Sequence, residues 1–491
     1  MGPVKQQRVP VSQVKNPQSE TIVGLTTIKG EDVEFDLVPS TGGKTAGRTG
    51  GVYEDSAVRG LVKGAEYRIP IDQVQRLWVM RRGISTGRTV ALVGILGGTA
   101  AVIAVAVANR PKPQPTTTTG GCPFLYSWDG HQFVFDAELF GGAVARGMQR
   151  DDYSELPHLQ TQHGIYRVLL ADELEETDYT DRLELWTVDH PAGSSVGIDD
   201  SGNIYSLRAP QPPLSARDEN GADLLPWLGA TDRRIWEPLP AEAPDGQLRH
   251  EIVLTFPKPA GTASTKLLVH AGTGEWGLRM FNSLFELYGQ GLDRKLTSLD
   301  RSPADVVALK IWSAREDLYS LKVWVEEPTG WQVRGVIPGG GMGARVVPLD
   351  LSRARGEQVR IRLQPPAGFW AINSVAIDYS PEQRLEVSRI APQSARTSAG
   401  EDVLSKLQFT DGLAYKAVMG DDAEIAFPAT PPRPGMRRTV FLHSAGYYRP
   451  DVRSQRPPDT ETLRQVFETP DGLARFAARR YAAWRAAVPG S

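Results

Sequence analysis

Six carboxylates crowd one short stretch: Asp129, Asp136, Glu138, Asp151, Asp152 and Glu155, with His158 close behind. Oxygen-rich groups of this kind hold calcium or carry out acid/base work. The spacing is not that of an EF-hand, which needs DxDxDG and a glutamate at the twelfth loop position. Turn-forming aspartates and solvated charges account for the same residues. Asp129, Glu138, Asp151 and Asp152 are the candidate metal ligands, calcium is the ion they suit, and no other cofactor is expected.

Two further sets of residues carry chemistry. His131, His158, His163, His190, His250, His270 and His443 could supply the base of a hydrolase. No GxSxG, HExxH or HxxEH accompanies them, and scattered histidines without a motif are usually surface or satisfied core residues. Among the tryptophans, Trp312 and Trp324 lie in apolar runs expected to be core strands. Trp331 at a turn and Trp370 after Pro-Pro-Ala-Gly are the candidate exposed pair, able to stack on a sugar ring or anchor a protein partner. GGKTAGRTGG around Lys44 lacks the GxxxxGK[ST] order and the strand-to-helix setting of a phosphate loop, so it reads as a flexible loop. Cys122 is the single cysteine, which excludes an internal disulfide and a cysteine-based zinc site. It reads as a buried structural thiol.

The elements that would position these residues are divided by Thr89–Asn109, TVALVGILGGTAAVIAVAVAN, an uncharged run between Arg88 and Arg110. At about 1.5 Å rise per helical residue, roughly twenty apolar residues cross the ~30 Å hydrocarbon core of a bilayer. Arg76, Arg81, Arg82 and Arg88 precede the run, whereas Arg110 and Lys112 follow it, so the N-terminal side is expected inside. The run lies too far from Met1 for a cleaved signal peptide and reads as a retained signal anchor. Gly94 and Gly98 form a GxxxG that would permit self-association of the span.

Around the span, the pattern is mainly β, and 49 glycines with 37 prolines suit a chain rich in turns. Residues 1–17 are polar and aperiodic, expected as a flexible tail. Residues 18–83 alternate in short runs that suit a small SH3-like or Sm-like barrel. The transmembrane helix takes 84–110, and a Pro/Thr linker takes 111–121. Residues 122–300 read as a β-rich outer domain. It opens with an aromatic hairpin turning at Asp129-Gly130 and carries one helix near 276–289. Residues 301–380 read as a β-sandwich module, starting with VVALKIWSA as a strand. Residues 381–458 read as irregular with short strands. Helices close the chain over 459–491, with Thr469-Pro470 as a cap and first position.

From the hairpin on, CPFLYSWDGHQFVFDAELFGG, then DDYSEL and YRVLLADELEETDYTDRLELWTVDHP, resemble a family of bacterial membrane-anchored proteins that share a CPFxYSWDG…FDAE…GG block. Similar members also carry a small N-terminal β-domain, an apolar span, a GFW.I..VA.DYS strand and an HS.GYY block. The resemblance implies this layout and supplies no activity or ligand. Leu139-Phe140 departs from it, since relatives tend toward Pro-Tyr at that turn.

Together these features lead to the expectation of a single-span protein of the bacterial cytoplasmic membrane, N-terminus inside and the large C-terminal region outside. Its expected role is binding or scaffolding at the cell envelope, with an envelope polysaccharide or protein as partner. A hydrolase using the acidic stretch and a transmembrane signalling protein are the alternatives. A net charge of -3 gives no reason to expect nucleic acid.

Overall fold

The computed structural model describes residues 4–82, apart from 11–20, 29–31, 37, 40–47 and 55, and residues 122–487, apart from 233, 241–246 and 453. It is mainly β. The chain forms two compact units, Met1–Leu96 and Gly97–Ser491. Thr89–Asn109 and the 111–121 linker lie outside the described residues. Among the described residues, no helix is long and apolar enough to cross a membrane.

The first unit is an antiparallel half-barrel. Its strands run in the order Val4–Pro10, Val74–Arg82, Thr21–Thr27, Gly51–Glu54, Ala57–Val62, Ala65–Pro70, with Asp32–Glu34 also on Thr21–Thr27. Ile22, Leu25, Phe35, Val58, Leu77 and Val79 fill its core. Lys63 and Gly64 both take positive φ, 51° and 80°, and join two strands by the two-residue turn whose twist matches a hairpin. Val4–Pro10 was expected in the tail, yet it pairs along its length with Val74–Arg82. As an edge strand with only Val4 and Val9 strongly apolar before its proline, VKQQRVP carries no visible alternation.

The second unit contains two β-sandwiches, one sewn into the other. Phe124–Trp128 lies between Phe133–Glu138 and Ile165–Ala171, and the sheet continues through Asp422–Pro428 to Ser394–Thr397. The facing sheet runs Arg150–Glu155, Met436–Pro450, Glu176–Pro191, Val387–Ile390, with Tyr415–Val418 also on Glu176–Pro191. Leu125, Phe140, Val168 and Phe427 meet Leu183, Leu185 and Leu442 in the core between them. The axis of this sandwich is the ladder of its two longest strands, which runs from Glu176 opposite Pro450 to Pro191 opposite Met436.

Between those strands the chain builds the other sandwich. Its larger sheet is Ser215–Asp218, Ile252–Pro257, Gln358–Leu363, Ser320–Glu327, Gly330–Pro338. The smaller is Gly343–Asp350, Ser264–Thr273, Trp370–Asp378. Leu254, Leu267, Val323, Ile361 and Ile372 share one core with helix residues Trp276, Met280, Trp312, Val466 and Phe476.

Several expected boundaries move. Residues 301–380 do not close a sheet of their own, because Gln358–Leu363 pairs with Ile252–Pro257 and Trp370–Asp378 pairs with Ser264–Thr273. VVALKIWSA belongs to the helix Pro303–Glu316, which Ser302 caps by accepting from the Asp305 amide at 3.2 Å, with proline in the first turn. Residues 381–458, expected as irregular with short strands, include one strand longer than expected, the 15-residue Met436–Pro450. The helix near 276–289 is present as Glu275–Tyr288, and a further helix, Leu292–Arg301, follows it. The terminal helices are Thr460–Glu468 and Gly472–Ala487, with Thr469-Pro470 between them.

Candidate functional site

The densest unsatisfied chemistry sits where Ile165–Ala171 hands over to Glu176–Pro191. In a strand, alternate side chains share a face, so Glu176, Asp178 and Thr180 point the same way, and all three are buried. Asp178 lies opposite Tyr448 and Ala417, while Thr180 lies opposite Gly446 and Tyr415, so Tyr415 shares the same covered face. Asp172 joins them from the connecting turn. Its amide donates to the Asp421 carbonyl at 3.0 Å, its own carbonyl accepts from Gly420 at 2.8 Å, and its Oδ1 accepts from Leu174 at 3.1 Å.

Asp172, Glu176 and Asp178 are 1%, 4% and 1% exposed, and each offers an oxygen within 4.8 Å of the others. Asp172 Oδ2 and both carboxylate oxygens of Glu176 and Asp178 have no hydrogen-bond partner, and neither do the hydroxyls of Thr180 and Tyr415. Among the described residues, no lysine, arginine or histidine pairs with any of the three acids. Burial, with Asp421 and Glu173 adding to it, pushes the Asp172 carboxyl up to about 7 against the Leu174 amide. Burial pushes Glu176 and Asp178 well above the carboxylate range, and the charges of the acids reinforce it; the Cys122 amide at Glu176 and the approach of the Glu176 carboxyl to Asp178 oppose this, neither with the geometry of a full hydrogen bond. Several unpaired charges cannot remain in such a place, since each would cost several kcal/mol. The group must be neutralised by protons or by a cation.

Of the four acids expected to hold metal, only Glu138 approaches this cluster. It lies at the end of its strand, raised by burial and by Asp152 and lowered by a hydrogen bond from the Cys122 thiol, and it is among the charges that raise Glu176 and Asp178. Cys122 is buried, as expected. With Tyr319 and Tyr448, Cys122 and Glu138 line a cavity of about 10 Å³, room for one water and not for a substrate.

The other three acids are engaged separately. Asp129 Oδ1 accepts from the His131 and Gln132 amides, both at 2.8 Å, and so shapes the hairpin turn. Asp152 accepts the Phe140 amide at 2.7 Å and pairs with Arg150 at 2.9 Å. Asp151, 59% exposed along its side chain, meets His443 Nε2 at 2.7 Å. His443 Nδ1 faces Glu184 at 3.5 Å, and the Tyr153 ring stacks on the imidazole at 4.7 Å. Because both ring nitrogens of His443 face carboxylates, neither is left to activate a serine.

The tryptophans also divide. Trp331 is half-buried, with Arg362 4.7 Å and Arg360 5.5 Å from its ring centre, which are cation–π contacts at the edge of a sheet. Trp370 is not exposed: it is 1% accessible and belongs to the core. The turn before it closes onto the sandwich instead of projecting from it. Trp312 is core, though on a helix, and Trp324 is half-buried beside Arg362 at 5.2 Å.

Asp172, Glu176 and Asp178 escape a reading of the sequence because ADELEETDYTD looks like a solvated acidic turn. The available signal is the period-two register E-x-D-x-T, continuous with the strand LELWTV.

No family model and no curated protein matches the chain. Among solved structures, an alpha-xylosidase from Xanthomonas citri is similar at 11% identity over 89% of this chain and 38% of that one, with a TM-score of 0.16. The chain thus spans well under half of that enzyme's length. The atomic structure of Sulfolobus Turreted Icosahedral Virus is matched at 8% identity over 68% of this chain and 91% of that one, with a TM-score of 0.14. Likenesses this low carry no argument about fold or activity.

Proposed function

We propose that the chain is a single-pass protein of the bacterial cytoplasmic membrane that displays residues 122–491 on the outer side for binding or scaffolding at the cell envelope. The observation that carries this is the uncharged run Thr89–Asn109, which in the sequence separates the described residues of one compact unit, ending at Arg82, from those of the other, starting at Cys122. Two β-rich units joined by a segment with no charge to solvate are what a membrane anchor between an inner and an outer domain requires. In this reading the half-barrel is a small SH3-like or Sm-like domain inside, and Gly94 with Gly98 lets two spans pair. The partner outside is a polysaccharide or a protein, and Trp331 is the aromatic side chain placed to meet it. A hydrolase reading has less support, because Asp129, Asp151 and Asp152 are held in turns, strand pairing and ion pairs. Signalling through one span would be limited to helices pairing or separating.

Cysteine labelling in intact cells tests the topology, since Cys122 is buried and spares the background. A cysteine at Thr117 should react with an impermeant reagent, and one at Ser40 only after lysis. The reverse pattern, or release of the full chain from membranes by alkaline carbonate, refutes the reading.

A further inference from the structure

We propose that Asp172, Glu176 and Asp178 form a binding site for a divalent cation, and that calcium is the ion their oxygens suit. The site is distinct from the acids at Asp129, Asp151 and Asp152, and it does not depend on which side of a membrane the domain occupies.

Geometry comes first. Calcium binds oxygen at about 2.3–2.6 Å, so ligand atoms on opposite sides of one ion stand at most about 5 Å apart. One oxygen from each acid lies within 4.8 Å of the others, a spacing that a single ion can bridge. Next comes donor supply. Five carboxylate oxygens of these acids lack any partner: Asp172 Oδ2, both of Glu176 and both of Asp178, and the Thr180 hydroxyl follows on the same face of the strand. Calcium takes about six to eight oxygens, carboxylates among them in one- or two-oxygen contact, so the acids supply most of a shell that water completes. All the donors are oxygen, which favours a hard cation over zinc or copper.

The independent pointer is Thr180. It is neutral and 0% exposed, and its unpartnered hydroxyl follows Asp178 by one period of the strand, so carboxylate repulsion does not explain its isolation. Tyr415, likewise buried and unpartnered, sits directly opposite Thr180 on the neighbouring strand. Protons alone would neutralise the acids but would leave these hydroxyls unsatisfied. A cation would neutralise the acids and bring bound water to the same covered face.

The site also joins parts of the chain that are distant in sequence. The Asp172 turn is tied to Gly420 and Asp421, and Glu176–Pro191 carries both Met436–Pro450 and Tyr415–Val418. A cation here therefore fastens the return of the chain onto the first sandwich, and its effect should appear as stability.

The test uses the full chain in detergent, stripped with chelator and returned to calcium, magnesium or terbium. Calcium should raise the melting temperature by roughly 5 °C near saturation. Terbium should show emission sensitised by nearby tyrosine, which calcium quenches by competition. Asp178→Asn should lose both responses, whereas Asp129→Asn should keep both. The proposal is overturned if the stripped wild type responds to none of these ions, or if Asp178→Asn keeps the terbium signal undiminished. It is also overturned if Asp178→Asn melts higher than wild type with calcium present, the result that simple protonation gives. Should Asp178→Asn fail to fold, the wild-type ion responses and Asp172→Asn decide the matter by the same criteria.

Discussion

The indole Nε1–H of Trp370 donates to the main-chain carbonyl of Asp317 at 2.7 Å, deep inside the second sandwich. Asp317 itself takes a left-handed φ of 55° as it ends the helix Pro303–Glu316, and its carboxylate receives Arg249 at 2.8 Å and Lys322 at 2.9 Å. The tryptophan therefore fills the core and also holds the corner where helix becomes strand.

Trp370→Ala should accordingly lower stability by about 3–5 kcal/mol, the range for emptying a large aromatic site. Trp331→Ala, which gives up only partly exposed cation–π contacts, should cost about 1 kcal/mol or less. Denaturant midpoints of the two full-length variants check the contrast. Equal losses would mean that Trp331 is as much a core residue as Trp370.

Some of this was legible in the sequence and some was not, for identifiable reasons. Short apolar runs marked Ile165–Ala171 and Trp370–Asp378, which are buried on both faces over much of their length. They could not name partners: Glu184 and His443 face one another across the long ladder although 259 positions separate them. A period of two identifies a face, never the strand beside it. The helix Pro303–Glu316 was hidden because Val307 and Ile311 are exposed at 54% and 64%, which blurs the apolar stripe that betrays a helix. The acid cluster was half legible, since Glu176, Asp178 and Thr180 share a face by register. Asp172 joins them only through backbone contacts to Gly420 and Asp421, which no local pattern announces.

Asp151 and Asp152 are neighbours with different work. Asp152 satisfies the amide of Phe140, a fully buried residue held at φ 64°, and also pairs with Arg150. Asp152→Asn should cost about 1–2 kcal/mol, because it weakens a charge-assisted bond to that amide and the Arg150 pair at once. Asp151→Asn, at a side chain more than half exposed, should change stability by about 0.5 kcal/mol or less. Phe140 supplies the second reading: its amide should exchange with solvent deuterium faster in Asp152→Asn and at the wild-type rate in Asp151→Asn. Matched behaviour of the two variants would show that Asp152 does not support this turn.

At the far end of the same ladder, Asp189 lies directly opposite Arg438 and takes Nε at 2.7 Å and Nη2 at 3.0 Å on its two oxygens. Burial works to raise the Asp189 carboxyl, but the Arg438 guanidinium, the Arg433 amide and the charges of both arginines outweigh it and hold the group below the ordinary carboxylate range. A carboxyl depressed in the folded state contributes stability that is fully present above its unfolded pKa, about 3.9. That contribution falls away as pH drops through the folded value. Asp189→Asn should therefore destabilise the protein at pH 7 by about 2 kcal/mol. This is less than the ~3–5 kcal/mol typical of a broken buried pair, because Arg438 keeps the carbonyls of Thr430 and Pro431. Stability curves of variant and wild type should converge as pH is lowered from about 4. A gap that stays constant down to the acid limit would mean that shape at this corner, and not the charge on Asp189, is what Arg438 requires.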